Sequence, residues 1–397
     1  MAVQDVVGPR RLDVVAPRRL AAQRKKHARR ARAVDLSRDA VQDIDKDPAK
    51  DGQQGALGAR VNNNTIAVIC GDLDATSTAI ASDLSVLLDD GDNLRIMPVL
   101  GKGGGQNIRD VRFMKGIDLG ITRANLLGGY KRGNLIGPID DKIVYVTKLF
   151  DEEMHVVVRA DAGITAIEQL SGQRVNFGDV GGDTQLTTQD LFARLGIKAV
   201  EANMSQVEAL QRLRKGEIAA TVLIAGKPVA AISQLSSEGF RLLPVPYPKE
   251  LQNDYLPAAL AARDYPALIG ADRPIDTVAV SAVLIAYNWP KGSDRYRRIE
   301  KFVEAFFPRL ADFQQPPRHP KWREANLGAV LPGWKRFEAS DEWLQRARPQ
   351  AQNGQRSPDN FIAAFDRLTG SGDARPAPDF DRLFQEFLKW NQARERH

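Results

Sequence analysis

Short apolar runs alternate with amphipathic helical stretches through the first half of the chain. Residues 65–70 form an apolar run of strand length, and residues 79–88 carry apolar side chains at helical spacing. The same order recurs with a strand at 94–100, a helix at 108–116 and a strand at 117–122. This alternation predicts a mainly parallel sheet covered by helices, which is an α/β fold.

The pattern repeats further along the chain. Strands are predicted at 143–149, 155–159, 174–177, 219–224 and 240–245, and helices at 167–172, 185–195, 206–215 and 229–235. A proline-rich segment at 244–257 is expected to lead back to the first sheet. The long apolar run 277–287 then predicts a central strand of that sheet. Residues 294–307 predict a helix, 308–335 an irregular segment, and 379–390 a last amphipathic helix packed on the body.

Four loops rich in small residues each follow a predicted strand, at residues 71–76, 101–107, 178–185 and 225–228. Glycines let backbone N–H groups approach a ligand closely, and the start of a helix attracts anions. Thr76 or Ser77 is expected to cap one helix, and Asp183 or Thr184 another. One such loop is equally typical of a plain turn, but four in two similar halves predict a cleft for a small anionic or zwitterionic ligand.

Charged side chains near these loops have two possible roles. Lys102, Arg123 and Lys227 would neutralise a ligand carboxylate, or would be solvated surface charges. Asp183 would accept an ammonium group, or would cap its helix.

Composition narrows the alternatives. With 397 residues, 43% hydrophobic and 27% charged, the chain is typical of a globular protein of two or three domains. It has no apolar run of membrane-spanning length. The single cysteine, Cys70, excludes an intramolecular disulfide, and the four histidines show no metal-ligand spacing. We find no Ser/His/Asp signature and no phosphate-binding Walker loop, so neither a catalytic residue nor a cofactor is predicted.

The basic charge of the chain is concentrated at its start. Residues 1–32 hold ten Arg or Lys against two Asp, a net charge of +8, which leaves −2 for the other 365 residues. Residues 1–60 are expected to be disordered, and no apolar stretch makes them a signal peptide. A nucleic-acid arm or a targeting segment is possible there. A solvated tail, or a start assigned upstream of the true one, is the simpler explanation.

From residue 64 to about 345 the chain resembles the TAXI-type solute receptors of TRAP transporters. The resemblance is carried by Gly104-Gly-Gln-Asn107, Gly116-Ile-Asp-Leu119, His155-Val-Val-Val-Arg159, Leu170-Ser-Gly-Gln-Arg-Val-Asn176, a glycine loop with Thr184, and the segments 225–228 and 278–284, in that order. Where that family carries a Gly-Gly-Thr-Tyr-Tyr-like segment, this chain has Gly71-Asp-Leu-Asp-Ala-Thr76, without an aromatic residue.

The resemblance implies a type II periplasmic binding-protein-like fold, in which two α/β domains close on a ligand between them. Domain I would comprise residues 61–159 and 258–345, domain II residues 160–257, and residues 346–397 a C-terminal extension. It also implies a periplasmic monomer that captures a small organic acid or amino acid and delivers it to TRAP transporter membrane subunits, with no nucleic-acid partner. The loops and the resemblance together give the candidate ligand-binding residues: Gly71, Asp72, Thr76, Gly104, Gly105, Gln106, Asn107, Thr122, Arg123, Gly181, Gly182, Asp183, Thr184, Gln185, Gly226 and Lys227.

Two other functions remain open. Gly101-x-Gly103 after a strand, with Asp118 further on, is similar to the dinucleotide loop of an NAD(P)- or flavin-binding enzyme, but Gln106 stands where the third glycine is needed. A metabolite-sensing regulatory module would use the same two-domain fold, with the basic arm on nucleic acid. That arm shows no helix-turn-helix pattern.

Overall fold

The structure is a computed structural model that describes residues 48–91 and 93–355. Within the described residues, those from 64 onwards form one compact unit, which holds the whole sheet, and those before residue 64 belong to another. Helix α1 (Pro48–Asn64) takes up the last part of the arm predicted to be disordered. The rest of that arm and the predicted helix at 379–390 lie outside the described residues.

Strands and helices alternate along the chain, as the hydrophobic pattern predicts. The strands are β1 (Thr65–Ile69), β2 (Arg95–Val99), β3 (Leu119–Arg123), β4 (Ile143–Arg159), β5 (Arg174–Asn176), β6 (Val200–Ala202), β7 (Ala220–Ala225), β8 (Phe240–Leu242), β9 (Leu256–Leu260) and β10 (Ile275–Tyr287). The helices that follow α1 are α2 (Thr76–Leu88), α3 (Gly104–Phe113), α4 (Ala124–Gly133), α5 (Asp183–Arg194), α6 (Gln206–Arg214), α7 (Ala230–Ser233), α8 (Asp294–Phe306), α9 (Leu310–Phe313) and α10 (Glu338–Gln355).

All ten strands belong to one sheet, with the order β2-β1-β3-β10-β4-β7-β5-β6, while β8 pairs with β4 and β9 with β10. The same pairing scheme occurs twice. Strand β1 lies parallel to β2 and β3, and β3 pairs with antiparallel β10. Likewise β5 lies parallel to β6 and β7, and β7 pairs with antiparallel β4. The predicted return of residues 277–287 to the first sheet is therefore confirmed.

Two long strands run through both repeats. Strand β4 pairs with β10 from Ile143 to Glu153 and with β7 from Glu153 to Val158. The sequence predicted two short strands here because Asp151, Glu152 and Glu153 interrupt the apolar pattern. That prediction was wrong, since β4 is a single strand of 17 residues and Glu152 and Glu153 are buried in it against cationic partners.

Each repeat has its own core on both faces of the sheet. Alternate residues of β1 face opposite sides, with Ile66 in a cluster under α2 and α8 and Ile69 in a cluster under α3 and α4. In β4, Val156 packs under α5 and Val157 under α6 and α7. We call β1–β3 with α2, α3, α4 and α8 the first half, and β5–β9 with α5–α7 the second half.

Several local predictions differ from the structure. Helix α4 and strands β6 and β9 were not predicted, and residues 308–335 include α9 and short 3-10 turns. The predicted caps were wrong, because helix α2 is preceded by Ala75 and helix α5 by Gly182. Neither residue caps its helix with a side chain; Thr76 and Asp183 are already helical, and their side chains point to other groups. No helix in the described part of the chain is long and apolar enough to cross a membrane.

Candidate functional site

The four small-residue loops meet in two pairs, each pair joining the two halves. Asp183 of the second half lies directly on the glycine loop of the first, because a Cβ added at Gly104 would be 1.9 Å from Asp183 Oδ1. The Gly226 N–H donates to Thr76 Oγ1 at 3.1 Å, which joins the loop after β7 to the start of α2. The structure thus brings together the loops that the sequence singled out, in a closed arrangement.

The glycine loop 101–107 leads into α3 without a side-chain cap. Gly103, at the N-terminal boundary of the helix, has φ 85°, a left-handed conformation that favours glycine. Gln106 folds back on its own loop, since its Oε1 accepts from Lys102 N at 2.9 Å. Asn107 is fully buried and donates to the carbonyls of Ile121 and Cys70, at 2.7 and 3.1 Å. Asn107 therefore holds the ends of β3 and β1, while the backbone of Gly103 and Gly104 faces the other half.

Arg123 is the central cation of the site. It is the last residue of β3, it is 4% exposed, and its Nε donates to Glu152 Oε2 of β4 at 2.5 Å. Its Nη2 donates across to the Ile224 carbonyl of β7 at 2.7 Å. Its Nη1 is buried and has no hydrogen-bond partner among the described residues. Arg123 of the first half therefore contacts the second half, and its Nη1 group is still able to donate to a ligand.

Asp183 is the matching acidic group from the second half. Its Oδ1 atom is buried and, within the described residues, accepts no hydrogen bond. The pKa of Asp183 is raised to about 7. Burial is the main cause, the charges of Glu152 and Asp72 add to it, and the charge of Arg123 opposes it. A buried carboxyl group with a raised pKa, placed where the two halves meet, is a candidate for contact with a ligand.

Further polar side chains join the two halves beyond Arg123 and Asp183. Asn125 of α4 donates to Thr187 Oγ1 of α5 at 3.3 Å, and its own Oδ1 is buried without a partner in the part of the chain described. Tyr255 lies beside them and donates to Asp190 Oδ2 at 2.7 Å. Further out, Arg132 Nη1 lies 3.1 Å from Asp254 Oδ1, and we call this partly exposed ion pair the rim of the site.

A second set of buried charges lies next to Gly226. Lys321, only 1% exposed, donates to Glu153 Oε1 at 2.7 Å and to Glu324 Oε1 at 2.8 Å. Lys227 donates its backbone N–H to Glu153 Oε2 at 3.1 Å, and its Nζ donates to the Ala259 carbonyl and lies 3.5 Å from Asp264 Oδ2 and 3.8 Å from Glu153 Oε1. The Lys227 ammonium group is therefore already engaged by these three groups.

The remaining candidates mostly shape the loops. Thr122 Oγ1 donates to the Gly104 carbonyl at 3.2 Å, and Thr184 Oγ1 accepts from Ile224 N at 3.4 Å. Gln185 closes its own loop by accepting from Gly181 N at 2.6 Å. The N–H of Gly71 donates to Ser77 Oγ at 3.0 Å, Gly182 N donates to Asp179 O at 3.0 Å, and Asp72 is exposed. Gly105 packs under Tyr130.

Sequence reasoning missed Glu152, Glu153, Asn125 and Lys321. The only available signal was the run Asp151-Glu152-Glu153 between two apolar segments, which is unusual in a strand and marks the place where β4 passes from one half to the other. Nothing local distinguishes Lys321 from a surface lysine, since its partner Glu153 lies 168 residues away.

The residue on which a dinucleotide site would depend has a structural role. Asp118 is 2% exposed, accepts from Ala67 N at 3.2 Å and lies 3.2 Å from Arg298 Nη2 and 3.4 Å from Arg295 Nη1. Its carboxylate therefore anchors α8 to β1 and is not available to a ribose.

The sequence matches the NMT1-like family over residues 75–330. Among solved structures, a periplasmic transporter is 15% identical with TM-score 0.43, and the match covers 78% of this chain and 97% of that one. The periplasmic binding protein BugD is 13% identical with TM-score 0.45, covering 72% and 94%. The BenM effector-binding domain with its effector benzoate is 14% identical with TM-score 0.37, covering 64% and 96%.

Matches at these TM-scores do not indicate which ligand this chain binds. The predicted fold class is confirmed: the chain has a mixed α/β fold of the type II periplasmic binding-protein kind.

Proposed function

Because the chain belongs to the NMT1-like family, we propose that it is a solute-binding receptor that closes its two halves around a small ligand. The proposal rests on Arg123 of the first half, which donates to Glu152 of β4 and to the Ile224 carbonyl of the second half, and whose buried Nη1 has no hydrogen-bond partner within the residues that the structure describes. A buried donor without a partner is costly, and a ligand carboxylate that reached it would remove that cost.

The long strands give the proposal a mechanism. Strands β4 and β10 pair with each other and connect the two repeats: β10 also pairs with β3 and β9, and β4 also pairs with β7. The four loops lie on either side of these two strands. Small backbone changes in these strands would separate Asp183 from the glycine loop and admit a ligand. On this proposal the halves are two domains, residues 61–159 with 258–345 and residues 160–257, with the ligand held in the cleft between them.

We further propose that the receptor works outside the cytoplasm as a monomer, in a TRAP-type system of the TAXI kind. It would deliver a small organic acid or amino acid to the membrane subunits. The resemblance in residues 104–107, 116–119 and 170–176 supports this finer assignment.

A thermal-shift screen of the full chain against amino acids, dicarboxylates, keto acids and nucleotides tests the receptor function. Ligand at about 100 times its Kd stabilises a protein by about 2.7 kcal/mol, which is a measurable rise in Tm. We expect a shift with a small carboxylic acid or amino acid that is abolished in Arg123→Met. The same shift should persist in Arg212→Met, whose arginine pairs with Glu208 on the surface of α6. A shift with nucleotides alone would contradict the proposal and favour a nucleotide-binding enzyme.

A further inference from the structure

A groove of about 1010 Å³ lies beside α10 and shares no residue with the candidate ligand-binding set. Loop 328–336 forms one wall, residues 338–347 of α10 form the other, and Tyr145 of β4 also lines it. We call it the α10 groove, and we propose that it is the docking site of residues 379–390 of the same chain. This inference is independent of the proposed function.

The loop wall of the groove is fixed against β4. Tyr145 N donates to the Lys335 carbonyl at 3.0 Å, and Phe337 N donates to the Tyr145 carbonyl at 2.8 Å. The Arg336 guanidinium lies 5.0 Å from the centre of the Tyr145 ring and donates to the Ala329 carbonyl at 2.8 Å. Because these contacts already order the loop, a partner that docks here loses little affinity to ordering on this side.

The helical wall is fixed by the packing of α10 on the core. The ring centre of Trp343 lies 5.3 Å from that of Phe307, and Leu344 packs against the cluster under α2 and α8. Leu344 and Ala347 are three residues apart, so they lie on the same face of α10, and both line the groove and are partly exposed. Apolar side chains of α10 are therefore accessible from the groove.

The loop wall carries matching apolar side chains. Val330 is 72% exposed and Trp334 is partly exposed, and both line the groove. Charged side chains such as Lys335 and Glu342 line it as well. A groove with apolar side chains on both walls and charges among them is suited to an amphipathic helix, whose apolar face it would cover.

The chain itself supplies such a helix. Residues 379–390, which lie outside the described residues, carry an apolar stripe at helical spacing: Phe380, Leu383, Phe384, Phe387 and Trp390. The stripe from 380 to 390 corresponds to roughly 16 Å of helix, and the α10 wall from 338 to 347 to roughly 15 Å. The occupant and the wall therefore match in length.

The connection between α10 and this segment has the right length. Helix α10 ends at Gln355, which is eight residues beyond Ala347, or roughly 12 Å along the helix. Residues 356–378 include Gly370, Gly372 and two prolines, which favour a change of chain direction. A random chain of this length has an end-to-end distance of roughly 25 Å, so the segment can reach back to the groove.

The short connection also selects the segment over a second copy of the chain. A segment tethered by a linker of this length is present at an effective concentration in the millimolar range. A second molecule would match that only in a protein solution of millimolar concentration. The groove of one chain should therefore be filled by its own C-terminal segment.

Chemical cross-linking of the full chain tests the contact. Gln345→Cys lies in the groove, and Leu388→Cys lies beside the apolar stripe and keeps all five of its members. A short bismaleimide should join the two thiols within one chain. The matched control is Arg346→Cys with Leu388→Cys, because Arg346 has the same tether but pairs with Glu304 of α8. We expect a yield roughly tenfold lower in the control. Cys70 is buried and should not react.

Hydrogen exchange of the full chain tests the groove and the stripe separately. Val330→Glu places a charge on an exposed groove residue, and Phe384→Glu places one in the stripe. Each should speed exchange in residues 379–390 by roughly tenfold or more, because docking protects the helix. Val207→Glu, at a position that is 64% exposed on α6, and Gln385→Glu, on the polar face of the predicted helix, should exchange like wild type. Urea unfolding of all four variants checks that the fold is retained.

The possible outcomes are distinct. Cross-links between two chains would show that a second copy fills the groove and would overturn the proposal. Equal yields at positions 345 and 346 would place the segment outside the groove. Fast exchange of residues 379–390 in wild type would show that they are not docked, and slow exchange that persists in Val330→Glu would show that they dock elsewhere. All of these outcomes leave the receptor function standing, because none of the variants changes a candidate ligand-binding residue.

Discussion

At the scale of single residues, the site is built from ionisable groups that are stable only because of their partners. Burial lowers the pKa of Arg123, but the charges of Glu152 and Asp183 raise it by more. Glu153 shows the opposite balance, because burial raises its pKa against the lowering effect of Lys321 and Lys227. Each of these charges would lower the stability of the protein if it were buried without its partner. A substitution at one of them therefore measures the loss of the ion pair and not the effect of one side chain.

Arg123→Met should destabilise the protein even without ligand. It leaves the Glu152 carboxylate and the Ile224 carbonyl without their buried donor. Loss of one partner of a buried ion pair costs about 3–5 kcal/mol. Urea unfolding followed by circular dichroism measures the change. Arg212→Met removes an exposed pair within α6 and should stay within about 0.5 kcal/mol of wild type. Equal stability of the two variants would contradict a buried pair at Arg123.

His155 should make the protein less stable in acid. It is fully buried and its Nε2 lies 2.8 Å from Tyr265 OH. Its pKa is lowered to about 4, mainly by burial and also by the charges of Lys227 and Lys321, against the raising effect of the Leu223 and Glu153 backbone. The unfolded chain therefore binds more protons between pH 6.5 and 4, so this contribution is present above pH 6.5 and is lost as the pH falls through 4.

The contribution of His155 amounts to about 3 kcal/mol for a shift of this size. Urea unfolding of wild type and His155→Gln at pH 4 and pH 7 measures it. We expect the difference in stability between the two pH values to be smaller in the variant. The same pH dependence in both proteins would show that His155 is not held neutral by the fold.

At the scale of elements, the sequence predicted those features that depend on local pattern. Apolar runs gave β1, β7 and β10, because strands buried on both faces carry continuous apolar residues. The glycines of 101–107 and 178–185 gave the loops that meet. The sequence did not predict the continuity of β4, since Glu152 and Glu153 are compensated by Arg123 and Lys321, which are distant in the sequence.

The chemical roles of candidate side chains were also beyond sequence pattern. Lys227 lies in a predicted loop, but its Nζ is bound by Asp264 and the Ala259 carbonyl. Asn107 lies in the glycine loop, but its amide holds two strand ends. Asn125 lies in a helix that was not predicted, and yet it faces α5. Which side of a loop meets the other half depends on tertiary packing, and no local signal encodes it.

Gly104→Val should separate the glycine loop from α5. Its Cβ would overlap Asp183 Oδ1 and Leu126 Cδ1, at 1.9 and 2.2 Å. Hydrogen exchange is the measurement, and amides of residues 101–107 and 178–185 should exchange faster than in wild type. Gly182→Val should have a smaller effect, because its nearest contact is Asp179 O at 3.0 Å.

A matched control for Gly104→Val lies on α4. A Cβ at Gly129 would meet nothing within 4 Å, so Gly129→Ala should leave exchange in both loops unchanged. It should stabilise the helix by up to about 1 kcal/mol, because alanine loses less backbone entropy than glycine. Unchanged exchange in Gly104→Val would mean that the two loops are not in contact in solution.

At the scale of the whole sheet, closure depends on a few contacts between the halves, while the long strands β4 and β10 are shared. The contacts are of two kinds. Near the sheet they are buried and polar, through Arg123 and Asp183, and at the rim they include the partly exposed ion pair of Arg132 with Asp254, which Arg194 of the second half also holds. Partly exposed ion pairs contribute little each and are screened by salt. The rim is therefore the place where the balance between open and closed forms can be changed without disturbing either core.

Arg132→Glu should shift the molecule towards an open form. Arg132 of α4 lies 3.1 Å from Asp254, which Arg194 also holds at 2.6 Å, so a glutamate at position 132 would repel the carboxylate on the other half.

Spin labels at Arg109→Cys and Lys198→Cys, both exposed and in opposite halves, would report the separation by pulsed electron resonance. Cys70 is buried and should remain unlabelled. We expect longer distances in Arg132→Glu and a return towards wild type in high salt, where repulsion between exposed charges is screened. Lys335→Glu makes the same charge change opposite Asp141, which is 3.4 Å away and belongs with it to the proposed domain of residues 61–159 and 258–345, and should leave the distances unchanged. If both variants lengthened the distance equally, net charge and not the rim contact would control closure.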